Sequence, residues 1–234
     1  FLAVAAGLIA GLVMTVLQAR FTVPLIVAAE TYETAAPAHS HDAATPAHGH
    51  DDEAWAPADG FERMAFTTAA NLVTAVGFAL LLLAAAEFAA EFAGGIAGWR
   101  SGLFWGLAGF AVFTLAPGLG LPPELPAMPA AELLPRQIWW IGTVAAAAAG
   151  IALIFLGKSP ALAGLGVALL VIPHLVGAPQ PASFESPIPE GLHHRFVVAV
   201  TMTSLVFWAL LGTLAGVLRP RVEAWLAAPR DRLV

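Results

Sequence analysis

The chain has 234 residues and a formal net charge of -6, and it is 59% hydrophobic and only 11% charged, with a mean hydropathy of +0.81. Those figures exclude an ordinary soluble globule, and the acidic balance argues against a nucleic-acid partner while favouring cations. There is no cysteine, so disulfides and thiolate metal sites are excluded together, leaving His, Asp, Glu and Met as possible ligands.

Long apolar runs separated by Pro/Gly-rich breaks predict an all-α, polytopic integral membrane helical bundle. A spanning helix needs about 20 apolar residues. Six segments reach or approach that length: 1–19, 65–86, 101–119, 138–157, 160–177 and 196–217. The fifth is the weakest, because it is short, opens on Pro160 and carries Pro173 and His174. Were it re-entrant, five spans would remain and the far end of the chain would change sides. Phe1 opens directly on the first apolar run with no basic leader, which is expected of a chain lacking a few residues at its start rather than of a cleaved signal peptide. The organisation predicted is a first helix with an interfacial extension (1–29), an acidic His-rich loop (30–64), five further membrane segments (65–218) and a basic tail (219–234).

Gln18 and Arg20 close the first span. The apolar stretch Phe21 to Ala29 contains Pro24 and reads as an interfacial extension delivering Glu30, Tyr32 and Glu33 to the surface. The loop that follows, Pro37 to Glu53, holds four of the seven histidines. One unit appears in it twice: His39-Ser40-His41-Asp42, then His48-Gly49-His50-Asp51, with Asp52 and Glu53 extending the second. Each pair can close on one divalent ion, and imidazole mixed with carboxylate suits Zn, Ni, Co or Cu better than Mg or Ca. A solvated acidic linker is the alternative reading. A purification tag is not, since the tract is internal and interspersed with acids.

Asn71 in the second span reads as an interhelical hydrogen-bonding residue. Gly7 and Gly11, Gly102 and Gly106, and Gly212 and Gly216 have the small-xxx-small spacing that lets helix backbones approach. That spacing leaves open packing within the chain or pairing with another subunit, a homo-oligomer included. The stretch from Pro117 to Pro135 has six prolines, too many for a helix and stiff enough for an ordered lid. Arg136, Gln137, Trp139 and Trp140 then anchor the next span at the interface. His174, behind the helix-opening Pro173, is the foremost intramembrane ligand candidate.

With six spans and both ends cytoplasmic, the inner segments hold six basic residues (Arg100, Lys158, Arg219, Arg221, Arg230, Arg232) and the outer ones four (Arg20, Arg63, Arg136, Arg195). All seven histidines then fall on the outer face, with His193 and His194 just before the last span. A collecting surface on that side suits an ion importer in which Glu30, Glu33, His174, His193 and His194 form the intake. The other reading is a metal-binding scaffold or donor subunit serving a different permease. No catalytic or phosphate-loop motif is present, so an enzyme is not expected, and energy would come from a gradient, the potential or a partner.

Several short stretches, in this order, resemble the predicted cobalt transporter subunit CbtA family of bacterial membrane proteins. They are Pro24-Leu25-Ile26, Glu30-Thr31-Tyr32-Glu33, the His-rich loop, Trp55 to Gly60, Leu125 to Pro129, Arg136 to Trp140, Pro173 to Pro179 and His194-Arg195-Phe196. The resemblance implies a divalent cobalt importer of the bacterial inner membrane linked to cobalamin supply. It also implies a lipid-embedded assembly with a small single-span, His-rich partner subunit, and about five spans. The metal is substrate rather than cofactor, with nickel or zinc as the other candidates, and no organic cofactor is expected. The intramembrane H-x-x-x-x-D-H pattern of nickel/cobalt permeases is missing.

Overall fold

An apolar segment surrounded by lipid must satisfy its backbone internally, so it forms helix. The computed structural model describes residues 1–35, 57–58, 60–93 and 95–227, and all regular structure among them is helical. The elements are α1 (Leu2–Phe21), α2 (Val23–Ala35), α3 (Phe61–Ala93), α4 (Trp99–Phe110), a π-helical stretch (Ala111–Leu115), α5 (Ala116–Gly120), α6 (Leu133–Leu156), α7 (Pro160–Val176) and α8 (Glu190–Ala227).

Among the described residues five helical stretches are long and apolar enough to cross a membrane: Leu2–Phe21, Phe61–Phe92, Trp99–Gly120, Leu133–Leu156 and Glu190–Trp225. The fifth segment of the sequence reading, α7, has 17 residues, about 25 Å at 1.5 Å per residue and at the short end of the spanning range. It packs back along α6 as far as Trp139. α7 lies antiparallel on α6, with Gly150 against Gly166 and the Trp139 indole N–H donating to the Pro173 carbonyl at 3.2 Å. Ser159 starts it by accepting from the Leu162 amide at 3.3 Å, with Pro160 in the first turn, where no amide is needed.

Two helices run past the segment boundaries read from the sequence: α8 continues through Ala227, and the last turns of α2 lie beyond residue 30. The proline-rich stretch is non-helical only from 121 to 132. Pro135 is tolerated because it stands in the first turn of α6, where its missing N–H is not needed, whereas Pro117 sits within a continuous helical stretch whose ladder shifts to π-helical just before it.

Antiparallel pairs build the bundle: α1 on α3, α4 on α8 and α6 on α7, with α1 also against α8. The glycines set the spacing. A Cβ on Gly212 would lie 2.6 Å from the Gly106 nitrogen, and one on Gly7 would lie 2.6 Å from the Cα of Val76. The glycine pairs thus pack helices within one chain. A core of small residues (Ala6, Ala10, Ala75, Ala79) adjoins the Phe78–Phe113–Trp208 cluster, in which Phe113 and Trp208 stack at 5.5 Å. Large apolar side chains such as Leu12, Val73, Leu80, Phe104, Ile138 and Val206 are exposed, as a lipid-facing surface requires.

Alternating directions gather the polar residues at two ends. One end carries Glu30, Arg63, Glu124, Arg136, His174 and His193. At the other, Phe1 meets Trp225 with ring centroids 6.1 Å apart, and Arg219 of α8 pairs with Glu87 of α3 and, at 2.9 Å, with Glu223.

Candidate functional site

At the Glu30 end, Pro24 interrupts the helical ladder, and both Leu25 and Ile26 donate instead to the Thr22 carbonyl, at 3.0 and 3.1 Å. The predicted extension is therefore a second helix, and it places two carboxylates. Glu30 takes both guanidinium nitrogens of Arg63 from α3. Glu33 accepts from the Ala127 amide at 3.2 Å, and Ala127 holds a left-handed backbone, φ 63°. The stretch 121–132 is pinned by the buried Leu125, which packs with Ala29, Ile188, Leu192 and Phe196. Arg136 holds Glu124 at 2.8 Å, and Met128 sulfur accepts from the Leu125 amide at 3.4 Å.

Of the predicted ligands, His39, His41, Asp42, His48, His50, Asp51 and Asp52 lie outside the described residues. Both helices flanking that loop, α2 and α3, present their loop-side ends here, joined by Arg63 and Glu30. Half-buried His193 donates through Nε2 to the Pro123 carbonyl at 3.1 Å, which leaves Nδ1 as its acceptor nitrogen. His174 meets the Trp139 ring edge-on at 6.0 Å. His194 is exposed in a groove with Leu17, Phe21 and Met202. Glu30, Glu33, His174 and His193 share one end of the bundle, yet among the described residues no three His, Asp or Glu come close enough to hold one ion.

A second polar feature escaped the sequence reading. Between α1, α2, α3 and α8 lies a cavity of about 260 Å³ bordered by Met14, Gln18, Thr22, Arg63, Thr67 and Thr203. Thr22 and Thr203 are 5% and 4% exposed, and each hydroxyl donates to a carbonyl one turn back. Below it, Asn71 of α3 donates to Thr15 Oγ1 at 3.1 Å and Gln18 Oε1 at 2.7 Å, the interhelical bond expected of that residue. Isolated threonines carry no hydropathy signal. Only their convergence from three helices marks the place.

A broad cleft of about 1090 Å³ lies between the π-helical stretch, α6 and α8, with Thr114, Pro117, Glu124, Arg136, Thr201 and Ser204 on its walls. Its cause is local. Pro117 has no amide hydrogen, and the Ala116 amide bonds to Ala111, five residues back. The Val112 carbonyl thus loses both its i+4 and its i+5 donors, and π-bulges of this kind recur at functional sites.

Alternating apolar helices, a lipid-facing surface and polar groups gathered at the ends define a multi-pass membrane protein. The sequence model of the family described as probable cobalt transporter subunit (CbtA) matches residues 1–219, and the chain belongs to that family. No curated protein and no solved structure matches. The family is described as one of probable cobalt transporter subunits, a description that points to a metal-ion substrate and, for a subunit, to partner proteins in a lipid environment.

Proposed function

We propose that this chain is the membrane subunit through which divalent cobalt is taken up, with the His-rich loop gathering the ion outside the cell. One observation carries the reading: Glu30, Glu33, His174 and His193 stand at the end of the bundle where α2 and α3 present the loop's two attachments. In sequence Arg100, Lys158, Arg219, Arg221, Arg230 and Arg232 belong to the opposite side, six basic residues against four (Arg20, Arg63, Arg136, Arg195), and on that balance we take it as the cytoplasmic side of a bacterial inner membrane. A divalent ion moving inward down about 100 mV gains roughly 2 × 2.3 kcal/mol, so the chain needs no nucleotide site. Cobalt lies below nickel and copper in affinity for such ligands, so selection rests on site geometry or metal supply rather than binding strength. A small single-span, His-rich subunit is the partner proposed.

Radioactive cobalt accumulation tests this in cells lacking their own cobalt importers, with the chain expressed alone and with that partner. Uptake that depends on the chain is expected. No uptake in either strain, with the protein present in the membrane, would favour the scaffold or donor reading. Replacing His39, His41, His48 and His50 with Ala should lower uptake at scarce metal and leave it near normal at plentiful metal. Loss at all concentrations would contradict a gathering loop. His174→Ala should lower uptake at every concentration, and unchanged transport would leave His174 as a packing residue beside Trp139.

A further inference from the structure

Arg20, Arg63, Arg136 and Arg195 all stand at the Glu30 end of the bundle. Two of them are neutralised within the chain, Arg63 by Glu30 and Arg136 by Glu124. Among the described residues, Arg20 and Arg195 have no carboxylate within ion-pair distance. Both adjoin one groove. It lies between α1 and α8 and encloses about 460 Å³, with Leu17, Phe21, Val198, Met202 and Val206 as apolar walls and His194 and Arg195 at one end. The Arg20 guanidinium lies over the Phe21 ring, 5.8 Å from its centroid. Arg195 engages the protein through Nε alone, which donates to the Gly191 carbonyl at 3.3 Å, so its two terminal nitrogens can still take an oxyanion as a fork.

The groove follows α8 from His194 to Val206, about 18 Å at 1.5 Å per residue. That is close to half of the roughly 30 Å hydrocarbon core, so the groove covers one leaflet, whereas a partner's transmembrane helix would need the whole thickness. Below the charged end only Thr203 interrupts the apolar walls, and its hydroxyl already donates to the Ala199 carbonyl at 2.8 Å. The fitting occupant carries negative oxygens at the membrane surface and a hydrocarbon chain one leaflet long beneath them. We propose that this groove binds one anionic phospholipid from the leaflet on the Glu30 side. Arg195, His194 and Arg20 hold its phosphate, and one acyl chain lies along Val198, Met202 and Val206 against Leu17 and Phe21. Guanidinium groups pair with phosphate oxygens through parallel N–H···O bonds, and the imidazole adds a further donor. A zwitterionic lipid offers the same chain but brings a quaternary ammonium beside two cations that lack an acid among the described residues. Bound there, the lipid joins α1 to α8 at their polar ends. The site stands whether or not the chain carries cobalt.

The test uses the full chain, purified in detergent and analysed by native mass spectrometry with added phosphatidylglycerol or phosphatidylcholine of identical acyl chains. One phosphatidylglycerol per chain is expected to stay bound at a concentration that leaves phosphatidylcholine unbound. Arg20→Gln combined with Arg195→Gln should weaken that retention by about tenfold or more. Arg100→Gln, at an exposed arginine of the opposite end, should leave it unchanged. Met202→Trp keeps every charge but fills the groove, and it should weaken retention several-fold. Met202 is 50% exposed, so the fold should survive this change, which decides the matter if the double variant does not fold. Glycerol 3-phosphate carries the headgroup charge without the chains, and in large excess it should not displace the lipid. Equal retention of the two lipids, unchanged retention in the double variant or in Met202→Trp, an equal loss in Arg100→Gln, or displacement by glycerol 3-phosphate would overturn the proposal.

Discussion

Gly212→Ala is the sharpest test of how the bundle is assembled. A Cβ there would fall against the Gly102 carbonyl, 2.6 Å from the Gly106 nitrogen and 2.7 Å from its Cα, whereas ordinary contacts begin at 3.4 Å. The atoms in the way are α4 backbone, which has no rotamer to adopt, so the two helices must part by roughly 1 Å along this seam. Overpacking of this kind costs about 1–3 kcal/mol. Against it stands the intrinsic gain of Ala over Gly in a helix, up to about 1 kcal/mol. The net expectation is a loss of about 1–2 kcal/mol. Gly164→Ala in α7 is the control, since a Cβ there meets nothing within 4 Å, and it should be neutral or stabilising. Unfolding of both variants in bicelles, followed by Trp fluorescence, gives the comparison. A Gly212→Ala protein as stable as Gly164→Ala would refute the close α4–α8 seam. Since α8 also carries Thr203 and Thr201 to the cavity and the cleft, the same variant should lose cobalt uptake.

Asn71→Leu removes both bonds to α1, and at about 0.6 kcal/mol for a typical interhelical bond in a membrane it should cost about 1 kcal/mol; unchanged unfolding would mean that the bonds to Thr15 and Gln18 do not hold α1 to α3. Because the chain has no cysteine, single cysteines at Lys158 and Ser183 report the crossing of α7 cleanly. A membrane-impermeant maleimide applied to intact cells should label Ser183→Cys and not Lys158→Cys, and labelling of both would show that α7 does not cross. A peptide of residues 36–56 should bind Co2+ at pH 7 and lose it toward pH 5, because only neutral imidazole ligates and each falls to about 3% neutral at 1.5 units below 6.5. Isothermal titration at the two pH values checks this, and pH-independent binding would remove the histidines as ligands.

The sequence by itself determined the class of protein and the positions of the five long apolar helices. Hydropathy is a property of each segment against its solvent: an apolar run must form helix in lipid whatever its neighbours do. The family was legible for the same reason, since short ordered stretches such as Arg136 to Trp140 and Pro173 to Pro179 survive being read one at a time. Which helix meets which was not legible. Gly102 and Gly212 have the same spacing whether they face each other or a second chain, and only the contact between backbones assigns them to one α4–α8 seam. Arg63 and Glu30 are 33 positions apart in the chain, and Met14, Thr22, Thr67 and Thr203 come from three separate helices to one cavity. Their convergence depends on how far each helix is rotated about its own axis. That rotation is set by packing, and a threonine that back-bonds to its own helix leaves almost no trace of it in a linear pattern.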